Sequence, residues 1–245
     1  MNRKQLNQHI KLAIKWRKFK SAEDCQSGFT IIESLIALVV VAILMSAIAP
    51  VIVLSVATRV QSKRVESGTQ AARAYLDGVR AGSIDAPKHF KQLTEVNSTT
   101  KVYTSQRLGF AQVAAPNATL PNCTSPTKGY CADTATSSLY CIDLDGGGCT
   151  STSNKDFILQ AFRSSPNATA DDPDKGYLLG VRVYRAGGFK GTGTTLKTQQ
   201  GGSKSSTFTG GLGDRQAPVF ETATEIASKA TKYQDYCDRF GGCQQ

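Results

Sequence analysis

No charged side chain lies between Glu33 and Arg59, and the stretch from Leu35 to Val56 is apolar except for Ser46, Pro50 and Ser55. At about 1.5 Å of rise per residue a helix of that length covers about 33 Å, enough to cross a hydrocarbon core of about 30 Å. The pattern predicts a transmembrane helix over 29–56. It then changes character. In 57–81, "ATRVQSKRVESGTQAARAYLDGVRA", Ala57, Val60, Val65, Ala71, Ala72, Tyr75, Leu76 and Val79 recur at steps of mostly three to five, while Lys63, Arg64, Glu66, Arg73, Asp77 and Arg80 take the other faces. This predicts an amphipathic continuation of the same helix, with one face turned to a globular head. Gly82 and Pro87 predict its end between Gly78 and Pro87. Gly68 weakens its middle by about 1 kcal/mol relative to alanine, a cost read as tolerated.

Beyond residue 87 short apolar runs alternate with Ser, Thr, Gly, Asn and Pro, the pattern of a β-rich domain with long loops. The best strands are 139–144 ("LYCIDL"), 156–163 ("DFILQAFR") and 177–186 ("YLLGVRVYRA"), the last two expected to pair antiparallel. Residues 187–213 contain nine glycines and few apolar side chains, which predicts an exposed loop. In 219–236 Ala223, Ile226, Ala230 and Tyr233 fall at helical spacing, with Glu225 and Lys229 four apart, and predict a short C-terminal helix. The fold class is therefore α+β: a long N-terminal helix, half transmembrane (29–56) and half amphipathic (57–82), packed on a β-rich, disulfide-containing head (83–245).

Charge and cysteine content add topology. The formal net charge is +10, and half of it sits in residues 1–28, where Arg3, Lys4, Lys11, Lys15, Arg17, Lys18 and Lys20 face only Glu23 and Asp24. A basic flank before an apolar span predicts a cytoplasmic N-terminus and an exported, periplasmic head. The remainder is mildly basic, which suits a solvated surface better than a dedicated nucleic-acid face. Six of the seven cysteines follow the apolar segment, in loop-rich sequence with one histidine, His89. That composition suits disulfides in an oxidising compartment rather than zinc. Local loops are the simplest pairing: Cys123 with Cys131, Cys141 with Cys149, and Cys237 with Cys243.

One residue fits none of this. Glu33 stands just inside the entrance of the apolar segment, where an unpaired carboxylate costs several kcal/mol and marks a functional site by default. A secretory signal peptide does not explain it: such a signal has a shorter apolar core with its small residues after the core, whereas Ser27 and Gly28 precede this one. An ordinary signal anchor fits the length and flank but gives the carboxylate no task. A third reading makes Glu33 only a cap of the helix N-terminus.

Residues 28–33, "GFTIIE", followed by the apolar run, resemble the class III leader and N-terminus of type IV pilins and the related pseudopilins. The resemblance is specific although it covers only a small part of the chain. It implies that a membrane-embedded prepilin peptidase cuts after Gly28, discarding a leader of residues 1–28 that is longer than usual for the family. It also implies that the new N-terminal amine, on Phe29, is methylated, that Glu33 serves assembly, and that Pro50 is the helix-bending proline common in the family. Physical chemistry agrees: residues 29 and 33 lie one helical turn apart on one face, so the amine made by cleavage can pair with the Glu33 carboxylate within a subunit or between neighbours. Cleavage also removes Cys25 and leaves an even cysteine count.

The head offers no Gly-x-x-x-x-Gly-Lys phosphate loop and no Gly-x-Ser-x-Gly elbow, and nothing points to a Ser/His89/Asp triad. No enzyme activity is expected. No cofactor is expected either, apart from weak oxygen ligands for calcium at Asp143, Asp145, Asp171, Asp172 and Asp174, which turn formation explains more simply. The function expected is a structural minor pilin or pseudopilin subunit whose partners are prepilin peptidase, the inner membrane and other subunits, met through the N-terminal helix of a pilus-like fibre. The chain, including "RAYLDGVRAGSI" and "VYRAGGF", is also similar to a pseudopilin of the cyanobacterial hormogonium polysaccharide secretion system. That similarity implies a part in polysaccharide export and gliding, with secreted polysaccharide as a further partner. The alternative is a minor pilin displaying a binding head for DNA uptake or surface adhesion; the lack of a dense basic patch interleaved with aromatics counts against nucleic acid.

Overall fold

The computed structural model describes residues 28, 30–92, 110–165, 172–199, 214–228 and 230–239. The elements are helix α1 (Ile31–Arg80), strands β1 (Phe90–Gln92), β2 (Asn117–Thr119), β3 (Tyr130–Thr134), β4 (Ser137–Ile142), β5 (Phe157–Ser165), β6 (Tyr177–Arg185), β7 (Lys190–Thr195) and β8 (Phe220–Ile226), and helix α2 (Tyr233–Arg239). The α+β expectation holds. The chain forms two compact units, divided at Val51 and Ile52. The first contains the apolar start of α1; the second contains the rest of α1 and the head.

Within the second unit a six-stranded sheet runs in the order β3-β4-β5-β6-β8, antiparallel throughout, with β1 added parallel to β5. Strand β4 covers the first half of one β5 edge, from Ser138 against Ala161 to Ile142 against Phe157, and β1 takes the second half, with Phe90 against Arg163. The pairing of β5 with β6 runs from Phe157 opposite Arg185 to Arg163 opposite Leu179.

Both β5 and β6 are buried along their whole lengths, because each face of the sheet is covered. On one side Ala71, Ala72, Tyr75, Leu76 and Val79 of α1 pack on Phe157, Leu159, Ala161, Leu179, Val181 and Val183. On the other side Ile158 and Tyr184 join Ala118, Phe189 and Leu196, and Phe162 and Leu178 join Phe110 and Val113. Central strands covered twice read as continuous apolar runs rather than alternation. Gly68 is explained by packing: a Cβ there would meet Val219 Cγ1 at 3.0 Å and Phe157 Cε1 at 3.5 Å, so the glycine lets the helix approach the sheet. Helix α1 ends at Arg80, and Gly82, at φ +71°, takes the left-handed conformation that closes it.

Two expectations need correction. Residues 219–236 do not form one helix, since Phe220–Ile226 is strand β8 and α2 begins only at Tyr233. Thr222, Thr224 and Ile226 alternate with Glu221, Ala223 and Glu225, and this period-two pattern beside the exposed edge of β6 wins over the weaker helical spacing; Lys229 lies outside the described residues. The glycine-rich segment 187–213 is not wholly coreless, because β7 pairs with β2 and the segment buries Phe189 and Leu196. Residues 200–213 lie outside the described residues.

Disulfides join Cys123 to Cys131 and Cys141 to Cys149, with Cα separations of 4.7 and 5.9 Å. Cys237 is also disulfide-bonded, and Cys243 lies outside the described residues.

Candidate functional site

The candidate site is built where α1 begins. Thr30 is the residue before the helix, and its hydroxyl accepts the Glu33 N–H at 3.3 Å while its carbonyl accepts the Ser34 N–H at 3.2 Å. Thr30 thus satisfies donors that a helix start leaves open. The sequence reading passed over it, although the Thr-x-x-Glu spacing is the signal of such a start. Its effect is to fix where the helix begins, and so to set Glu33 in the first turn, where the positive end of the helix favours a carboxylate.

Gly28 is exposed, has no left-handed φ, and a Cβ added to it would meet nothing within 4 Å. Among the described residues nothing lies close enough to require glycine at that position. Phe29 lies outside the described residues, as does Cys25. From Ile31 to Val56 every residue is exposed, with Ile31 at 87% and Leu38 at 71%. Such an apolar surface, without cover in the isolated chain, needs lipid or other apolar helices. Hydroxyls along this part of the helix bond back to it: those of Ser34, Ser46 and Thr58 donate to the carbonyls of Ile31, Ile43 and Ser55 at 2.8, 2.8 and 2.9 Å. That internal bonding suits a helix in hydrocarbon. The helix runs on through Pro50, which removes one backbone donor. By length and composition α1 is the helix among the described residues that can cross a membrane.

In the head the serine, histidine and aspartate that come together do not form a nucleophilic triad. Ser138 Oγ accepts from the backbone N–H of His89 at 2.9 Å and donates to Asp133 Oδ1 at 2.6 Å. The His89 ring packs edge-on against Phe162, and its Nδ1 has no partner. Burial, with help from the cations Arg182 and Lys91, lowers the His89 pKa to about 4, so the ring is neutral at ordinary pH. Asp133 is therefore hydrogen-bonded to the hydroxyl, not to the imidazole, and the serine meets only the backbone of His89, so the Asp–His–Ser relay of a triad is not formed.

Of the weak calcium ligands, Asp143 and Asp145 come together, joined by Asp156, which the sequence reading had not singled out. Asp172 instead caps a short turn by accepting the Asp174 N–H at 2.9 Å, and Asp171 lies outside the described residues. Cys123, Cys141 and Cys149 also lie close together, but their sulfurs are held in the two disulfides. Elsewhere Arg64, Arg185 and Arg215 line a cavity of about 20 Å³ with Ser153 and Asn154. Burial, then the neighbouring Arg64 and Arg215, lower the Arg185 pKa.

The prokaryotic N-terminal methylation motif matches residues 24–49. No curated protein and no solved structure matches the chain significantly. The motif, together with the apolar helix behind it, supports a type IV pilin-like or pseudopilin subunit, handled by prepilin peptidase and anchored in the membrane by α1. No relative bears on the finer assignment to polysaccharide export.

Proposed function

We propose that this chain is a minor pilin or pseudopilin subunit that is cut after Gly28 and packs by its N-terminal helix into a short fibre, with Glu33 setting the stagger between neighbours. The fibre serves polysaccharide export and surface gliding. The observation that carries the subunit role is the pairing of "GFTIIE" with an apolar helix exposed along its whole first half. The export role rests on the sequence reading alone, in which "RAYLDGVRAGSI" and "VYRAGGF" resemble a pseudopilin of the hormogonium polysaccharide secretion system.

Removal of the chain from its native host tests that role. Exported polysaccharide and gliding should both be lost and should return with the wild-type chain. Normal export and gliding in its absence would contradict the proposal. The second reading, a displayed binding head, is favoured by one observation: Arg64, Arg185 and Arg215 converge on one cavity, and the neighbouring Asp214 carboxylate is already held by Lys197 at 2.6 Å. Loss of DNA uptake or adhesion with export intact would select it.

A further inference from the structure

Three arginines from separate parts of the chain meet at one small cavity. Arg64 comes from the amphipathic half of α1, Arg185 is the last residue of β6, and Arg215 lies in the segment before β8. With Ser153, Asn154 and Gly187 they enclose a space of about 20 Å³, room for about one water-sized group. Arg185 is 8% exposed and Arg64 is half-buried, whereas Arg215 and Asn154 are exposed, so the cavity opens to solvent on their side.

Like charges brought together repel, and burial adds to the cost unless a counter-charge is present. Burial first, then Arg64 and Arg215, lowers the Arg185 pKa, the sign of a positive field at that point. The chain does not neutralise it. Among the described residues none of the three guanidinium groups has an ion pair. Arg185 Nη2 donates to the Asp214 carbonyl at 2.8 Å, while its Nε is buried without a hydrogen-bond partner. The neighbouring Asp214 carboxylate is engaged elsewhere: Oδ2 accepts from Lys197 Nζ at 2.6 Å and Oδ1 from the Gln216 N–H at 2.9 Å. A solvated helix face explains Arg64 taken alone, and the bond to the Asp214 carbonyl explains Arg185. Neither gives a reason for bringing Arg215 to the same cavity.

We propose that this cavity binds one carboxylate group, carried by an acidic sugar of the polymer that the fibre exports. A guanidinium is a planar fork that matches the two oxygens of a carboxylate, and hydrogen bonds between charged partners are about twice as strong as neutral ones. A carboxylate is flat and enters so small a space with one oxygen leading. A nucleic-acid phosphate is tetrahedral and comes with bases, and among the described residues no aromatic side chain lines the cavity to stack them. The Asn154 amide can donate to or accept from sugar hydroxyls. The choice of an acidic sugar rests on the export role proposed above; the anion site rests on its own residues.

The test uses the full-length chain in a non-ionic detergent, with sodium glucuronate and sodium alginate as probes. Sodium acetate, dextran and single-stranded DNA are the comparisons, all at equal ionic strength because exposed charges are screened by salt. Glucuronate should bind once per chain with a Kd of about 1 mM, the scale of a few charge-assisted hydrogen bonds. Alginate, which presents many carboxylates, should bind about tenfold tighter. Acetate should bind about tenfold more weakly than glucuronate, DNA more weakly than alginate, and dextran not at all. Arg215→Gln, at an exposed position, should weaken alginate binding about tenfold and leave the Tm without ligand unchanged. Arg215→Lys keeps the charge but loses the fork, so it should fall between the two. No alginate binding by the wild-type chain would overturn the proposal, as would dextran or DNA binding as tightly as alginate, or acetate as tightly as glucuronate. Alginate binding that survives Arg64→Gln and Arg215→Gln together would do the same. The export role fails separately, by normal export in cells lacking the chain, whereas absent alginate binding by a chain whose removal stops export removes this site alone.

Discussion

Glu33→Gln is expected to be cut after Gly28 as the wild-type chain is and then to fail to enter the fibre. The carboxylate enters an apolar segment whose side chains are all exposed from Ile31 to Val56, and an uncompensated charge there costs several kcal/mol. On the proposed processing, cleavage makes an amine on Phe29, and the same charge then becomes an attraction of fixed geometry, met by a neighbour at one stagger only. A pair worth about 3 kcal/mol corresponds to about a hundredfold in the association constant of subunits, so incorporation measured in sheared or pelleted fibres should fall by about that factor. Glutamine separates the two roles open to this residue. The Glu33 N–H is bonded by the Thr30 hydroxyl whatever the side chain carries, and glutamine serves a helix start nearly as well as glutamate. If Glu33 merely caps the helix, Glu33→Gln incorporates normally; if it pairs with an amine, the loss of charge alone abolishes assembly.

The largest effect on the head is expected at Arg182. This side chain is 0% exposed, and its guanidinium donates to Glu221 Oε1 at 3.0 Å, to the Gln160 side chain at 3.3 Å, and to the carbonyls of Val113 and Phe110 at 2.6 and 2.9 Å. It also lies over the Phe162 ring, 5.0 Å from the centroid. The pair itself earns little, because taking two charges out of water offsets most of their attraction, but breaking one partner leaves the other uncompensated. Arg182→Met should therefore destabilise the chain by about 3–5 kcal/mol, a fall of roughly 10 °C in Tm for a domain of this size. Glu221→Gln should cost less than half as much, because the amide oxygen can still accept from the guanidinium and the second carboxylate oxygen, Oε2, is buried with no hydrogen-bond partner to lose. Adding Glu221→Gln to Arg182→Met should recover only part of the loss, since the guanidinium bonds to the carbonyls of Phe110 and Val113 are still missing. Thermal unfolding of the four proteins gives the coupling directly.

These two sites differ in how far they could be read from sequence. The helix entrance was legible because its signals are local: a glycine, a carboxylate five residues on, and an apolar run fall within one short stretch. Strands β5 and β6 were legible for the same reason, as compact runs bounded by turn residues. The Arg182–Glu221 pair was not, because its members are brought together by the antiparallel register of β6 and β8, and β8 itself was read as helix. Asp156 escaped notice because its neighbours Asp143 and Asp145 come from the far end of a loop, and only the folded chain shows that its outer oxygen has no partner. Strand β1 is three residues long and pairs parallel to β5, too short for any period to declare it. Composition in the head reported how much could be buried; the choice of partners was set by register.

The central claim is that Gly28 is a cleavage site and that the chain functions as a helix beginning at Phe29. Intact-mass and N-terminal analysis of the protein extracted from its native membrane tests this most directly. The account predicts a chain lacking residues 1–28, starting at an N-methylated Phe29 and retaining Glu33. A chain with its leader intact, or one cut after the apolar segment beyond Val56, would contradict it.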